Sequence, residues 1–232
     1  MDNLKTIINN KRVVIVGPSP SLLNKENGPL IDSYDIVIRI KKGFPIVNKL
    51  IKHLGEKTHI LCSHLKLTQN NLDYSSLHQL YNSQCQLIYM PYPITIEPFN
   101  RFYDNFMQYY QQFLQVTPNY NRKIPVLVSD NSSYLYHSQK MNTTPTTGIS
   151  MILDLLQCDF KELFITGFTF RLDGYYQDYK TKQEDRESYI RTFVTRKVHN
   201  TNYEAHYLKP LIVNKPNIIL DEPLTNIFKK LI

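Results

Sequence analysis

The chain has 232 residues, 42% of them hydrophobic, and a formal net charge of +7. A chain of this length supports one sizeable core and is too short for two, so a single domain spanning residues 1–232 is expected. The charge favours an anionic partner, yet the lysines are spread along the chain and form no RRM, zinc-finger or basic-region pattern, which argues against a nucleic-acid partner.

In chain order, the opening MDNLKTIINNKR is polar and lacks the apolar stretch of a signal peptide or membrane anchor. No transmembrane segment is expected, and the chain reads as cytoplasmic or otherwise soluble and intracellular. Apolar runs bounded by turn residues follow at RVVIVG (12–17), DIVIRI (35–40), THILCS (58–63), CQLIYMP (85–91), PVLVS (125–129), ELFITGF (162–168) and NIILD (217–221). These read as strands. Several are apolar on both alternations, as strands covered by helices on both faces must be. The clearest helices are GISMILDLLQC (148–158), with Thr146 or Thr147 as N-cap, and the charged stretch from Glu184 to Lys197. Residues 99–122 place aromatic side chains at helical spacing, either to pack on the core or to form a stacking platform for bases or sugars. Cys62, Cys85 and Cys158 lack CxxC spacing and are odd in number, which points to a reducing compartment. Strand and helix alternate, so the fold class is α/β: a single-domain, Rossmann-like, mostly parallel sheet flanked by helices.

Four stretches carry chemistry. GPSPS (17–21) is a glycine turn after a strand, the place where Rossmann-type sheets hold nucleotides, but it lacks GxGxxG, and Pro18 and Pro20 remove backbone donors. TPTTG (144–148) sets hydroxyls and a glycine before a helix, as an ordinary cap or as an anion site. FRLDGYYQDY (170–179) offers paired tyrosines that either meet a ligand or cover the core. HNTNYE (199–204) sets a histidine five residues before a glutamate, and the two act together only if a helix begins between them.

In order and spacing these stretches resemble the sialylmotifs of the family 29 glycosyltransferases, the eukaryotic-type sialyltransferases, over residues 11–212. RVVIVGPSPSL with Gly28, Ile31, Asp32, Asp35, Val37, Ile38 and Arg39 is similar to the large motif, and GEKTHIL (55–61) to the segment downstream of it. PTTGISMILDLLQCDFKELFITGF is similar to the small motif, and HNTNYE to the very small motif, His-x4-Glu. The resemblance implies a variant of the GT-A arrangement and an inverting, metal-independent enzyme with no cofactor. Such an enzyme moves sialic acid or a related acidic sugar from a CMP-activated donor to a glycan hydroxyl. It assigns His199 as general base, Glu204 as its support, and Gly17, Ser19, Ser21, Arg39, Lys41, Thr146, Thr147, Gly148, Tyr175 and Tyr176 to the donor. The chain departs from the family's pattern at Pro18 and Lys41, where asparagines are expected. It departs again at Gly174, where a histidine leads the third motif, and at Val13, where a cysteine would pair with Cys158. The alternative is a non-catalytic nucleotide- or glycan-binding module on the same scaffold.

Overall fold

The structure, a computed structural model, describes residues 2–65, 74–91, 100–117, 120, 123–176, 179 and 199–231. The helix expected from Glu184 to Lys197 lies outside them. The seven apolar runs form β1 (Arg12–Val16), β2 (Ile36–Ile40), β3 (Ile60–Cys62), β4 (Leu87–Met90), β5 (Val126–Val128), β6 (Glu162–Thr166) and β7 (Ile218–Leu220). They make one sheet in the order β5-β4-β3-β2-β1-β6-β7. Every neighbouring pair is parallel, from β1 against β2 and β6 out to both edges, so the sheet is wholly and not merely mostly parallel.

Parallel neighbours require crossover connections, and the helices that supply them cover both faces of the sheet. On one face, Val13 and Ile15 of β1 pack with Leu4 and Ile8 of α1 (Asp2–Ile8), Met151 and Leu155 of α7 (Thr147–Leu155), and Leu208 and Ile212 of α8 (Thr201–Ile212). On the other, Val14 and Val16 pack with Ile31 of α2 (Gly28–Asp32) and Leu54 of α3 (Ile51–Leu54). Successive β1 residues therefore point to opposite cores, which is why that strand reads as an unbroken apolar run. Burial of each such side chain contributes about 1.5–3 kcal/mol. A further cluster joins Leu61 and Ile88 to Leu77 and Leu80 of α4 (Tyr74–Tyr81) and to Phe113 of α5 (Asn100–Val116), while α6 (Asn131–Met141) adds Met141 to the first core. Tyr109 and Tyr110 of α5 pack against that cluster, so this part of the aromatic helix serves the core.

Asp154 of α7 is buried beneath the sheet edge and accepts the Tyr89 hydroxyl and, at 2.8 Å, that of Ser129, tying β4 and the end of β5 to α7. Burial raises the pKa of both Asp154 and Tyr89. Asp154→Ala takes this acceptor from two buried hydroxyls and is expected to lower stability by about 3 kcal/mol in a chemical denaturation experiment. The three cysteines are buried and free, and Val13, which shares the core cluster of Cys158, has no thiol to bridge to it. Among the described residues no helix is long and apolar enough to cross a membrane.

Candidate active site

Strands β2 to β5 extend the sheet from one side of β1, while β6 and β7 lie on the other. This reversal of strand order opens a crevice at the carboxyl ends of β1 and β6, the place where open α/β sheets hold ligands. Backbone approach at this point is very close: a Cβ on Gly17 would stand 2.2 Å from the Gly167 carbonyl oxygen, so no side chain fits there. Above these ends lies a cleft with about 600 Å³ of open space. Its walls are Pro18 and Ser19 after β1, Ile40 at the end of β2 with Lys41 after it, and the loop after β6. The starts of α7 and α8 complete it.

The start of α7 faces the cleft. Thr146 is the N-cap, in extended backbone conformation, but its side chain makes no capping bond to the helix. Instead the Thr146 N–H donates to Glu204, and its hydroxyl lies 3.3 Å from the other Glu204 oxygen. Thr147, Gly148 and Ile149 then present the first turn to the cleft, where the positive end of the helix dipole favours negative charge. Gly148 is required by packing as well, since a Cβ there would meet Phe168 Cε1 at 2.5 Å.

Helix α8 begins at Thr201 with Asn200 as its N-cap, so the helix start falls between His199 and Glu204 and brings both to the same segment of chain. Glu204 is fully buried under Thr146, and desolvation pushes its carboxyl up to about 7 against the opposing pull of the Thr146 bonds and Arg171. His199 lies beside the cleft without lining it, with Nδ1 2.8 Å from the Thr144 carbonyl oxygen. In the neutral tautomer that this contact requires, Nδ1–H donates and Nε2 carries the basic lone pair. Burial pushes the ring down to about 4; the Thr144 bond works against this, and the cations of Arg171 and Lys41 add to it.

Lys41, Phe170 and Arg171 all line the cleft with left-handed backbone, at φ of 47°, 50° and 61°. Such conformations are uncommon outside glycine and persist where the surroundings impose them. The imposing contacts include Asp173, which accepts the Thr169 hydroxyl and, at 2.8 Å, that of Ser19, and so fastens the loop after β6 to the turn after β1.

The structure brings Ser19, Lys41, Thr146, Thr147, Gly148, Tyr175 and Glu204 to the cleft and places the other expected residues elsewhere. Gly17 serves the crossing with Gly167. The hydroxyls of Ser19 and Ser21 lie 2.7 Å apart and that of Ser19 is engaged by Asp173, so the serines close the turn on itself. Arg39 is buried beneath the sheet end, bonded through Nε and Nη2 to the Lys57 and Leu54 carbonyls at 2.9 Å, and it knits β2 to the segment before β3. Tyr176 is held by its N–H to the Pro18 carbonyl at 3.1 Å and its ring joins the core, so only Tyr175 of the pair reaches the cleft, stacked on Tyr179.

Sequence reasoning passed over Arg171, Asp173 and His64. The first two stand within FRLDGYYQDY, where charge directly after a strand was the available signal. His64 follows the carboxyl end of β3, and its Nε2 lies 3.2 Å from the Thr147 hydroxyl. Among the described residues no group of three or more histidine, cysteine, aspartate or glutamate side chains is placed to hold a metal ion.

Comparison with solved structures finds a mammalian sialyltransferase in complex with Gal-beta-1-3GalNAc-ortho-nitrophenol, at 18% identity and a TM-score of 0.53, over 94% of this chain and 71% of that one. The sialyltransferase CstII from Campylobacter jejuni in complex with cytidine-5'-monophosphate is similar at 20% identity and a TM-score of 0.55, over 95% and 84% of the two chains. The monofunctional alpha-2,3-sialyltransferase Cst-I from Campylobacter jejuni is similar at 18% and 0.51, over 91% and 75%. No curated protein sequence matches significantly. The family model for glycosyltransferase family 29 (sialyltransferase) matches residues 7–215, and with the parallel sheet, the crevice at its switch point and the His-x4-Glu pair at the crevice edge, it identifies this chain as a member of that family.

Proposed function

We propose that the protein transfers sialic acid, or a related acidic sugar, from a CMP-activated donor to a glycan hydroxyl with inversion at the anomeric carbon. Its family membership makes it a glycosyltransferase. The observation that carries the finer reading is the bond from Thr146 to Glu204, which seats the segment bearing His199 against the open start of α7. A general base and an anion site thereby share one cleft edge. The complexes of the similar structures, one with CMP and one with Gal-beta-1-3GalNAc-ortho-nitrophenol, agree in kind with a nucleotide-sugar donor and a glycan acceptor.

In this reading the phosphate of CMP lies at the first turn of α7, and Lys41 and Arg171 balance the negative charges of donor phosphate and sugar carboxylate. Nε2 of His199 takes the acceptor's hydroxyl proton as the new glycosidic bond forms. The bond from the anomeric carbon to the phosphate breaks, and its electron pair leaves with CMP. Backbone N–H groups aimed at the leaving phosphate stabilise that charge as it develops. The donor's anions offset the two cations that depress His199, so the base strengthens when the donor is bound.

A thermal-shift panel tests the donor. CMP is expected to raise the melting temperature, by about 2.7 kcal/mol of added stability at a hundredfold excess over Kd, while UMP, GMP and S-adenosylmethionine do not. Release of CMP from CMP-sialic acid across a panel of galactose-terminated acceptors tests the reaction. CMP binding with no release under any acceptor would favour the non-catalytic reading, and no CMP binding would overturn the proposed donor and leave, of the alternative, only a glycan-binding module.

A further inference from the structure

The segment Thr144–Thr147 is bracketed by two histidines: His199 contacts Thr144, and His64, two residues past the end of β3, contacts Thr147. His64 is half-buried and its backbone is well fixed. Ser63 before it donates to the Tyr89 carbonyl at 2.9 Å, and Leu65 after it is fully buried with a left-handed φ of 61°. Resting on the reading above, we propose that His64 is a positioning residue that aims the Thr147 hydroxyl at the departing phosphate.

Phosphate oxygens only accept, and a threonine hydroxyl has a single hydrogen to give. Once that hydrogen is given to the phosphate, the 3.2 Å contact with His64 is a hydrogen bond only if Nε2–H of His64 donates to Thr147 Oγ1. The result is a relay from His64 through Thr147 to the phosphate, with each hydrogen pointing towards the charge. Such chains strengthen cooperatively as charge grows at their end, so the relay contributes more as CMP departs than when the donor first binds. His64 is therefore expected to act on kcat more than on donor KM.

The test uses the full-length chain with CMP-sialic acid and the best acceptor found above. His64→Ala is expected to lower kcat about tenfold, the size of one lost hydrogen bond, with donor KM and CMP stabilisation changed less than threefold. His64→Gln, whose amide N–H can replace Nε2–H, is expected to recover most of the loss. His64→Glu, which only accepts and draws the Thr147 hydrogen away from the cleft, is expected to be the poorest of the three. In a Thr147→Val background, His64→Ala is expected to cost nothing further. Equal kcat for wild type and His64→Ala, or losses that simply add in the double variant, would overturn the proposal. If His64→Ala does not fold, equal rates for the glutamine and glutamate variants would overturn it. A wild-type chain that neither binds nor releases CMP would instead remove the functional reading beneath it.

Discussion

His199→Ala is expected to reduce transfer by about 10² to 10⁴-fold, the usual contribution of a general base. The same variant is expected to keep the stabilisation by CMP, because the ring lies beside the cleft and the α7 start, where the phosphate is proposed to bind, is held by Glu204. Initial rates with saturating donor, paired with a CMP thermal shift on the same preparation, check both halves. A transfer rate equal to wild type would remove His199 from the mechanism. Loss of the CMP shift together with the rate would recast it as a donor-binding residue.

The second large effect is on stability against pH, and here Glu204 and His199 pull in opposite directions. The carboxyl of Glu204 rises from 4.5 to about 7 on folding, so the folded chain keeps a proton that the unfolded chain has lost. Its contribution is fully present below about 4.5 and is lost as pH rises towards about 7. His199 falls from 6.5 to about 4, so here the unfolded chain binds the proton first. Its contribution is present above about 6.5 and is lost as pH falls towards about 4. Each change is worth on the order of 3 kcal/mol, and across the shared window the two nearly cancel. Relative to wild type, His199→Ala is expected to lose stability as pH rises from about 4.5 to 6.5, and Glu204→Gln to gain it over the same range. Melting curves at half-unit intervals read this directly. Parallel curves for the three proteins would show that neither group titrates as its burial requires.

Most of the scaffold was legible because its signals are local. Unbroken apolar runs of five or so residues bounded by turns belong to strands covered on both faces, and the alternation of Val13 and Ile15 with Val14 and Val16 between two cores shows why. The start of α7 after Thr146 was equally local, since a hydroxyl residue with extended backbone marks a helix start. The His-x4-Glu pair was legible only conditionally. Five residues on one helix separate two side chains, and Asn200 decides the matter by starting α8 between them.

Amino-acid sequence alone determined that this chain builds a helix-covered parallel sheet with a family 29 motif set, because periodicity, turn residues and motif spacing are properties of short segments. Which motif residues meet was decided by tertiary structure. Tyr175 and Tyr176 are neighbours in the chain, yet one faces the cleft and the other the core, because the Tyr176 N–H is spent on Pro18. The Ser19 hydroxyl is taken up by Asp173 although the residue lines the cleft, and Arg39 is held away from it by carbonyls beneath the sheet. His64 and Thr147, 83 positions apart, meet at 3.2 Å. Contacts of this kind depend on the order of strands in the sheet, and that order follows from how the crossover helices bury their apolar faces, a condition satisfied only by the whole chain at once.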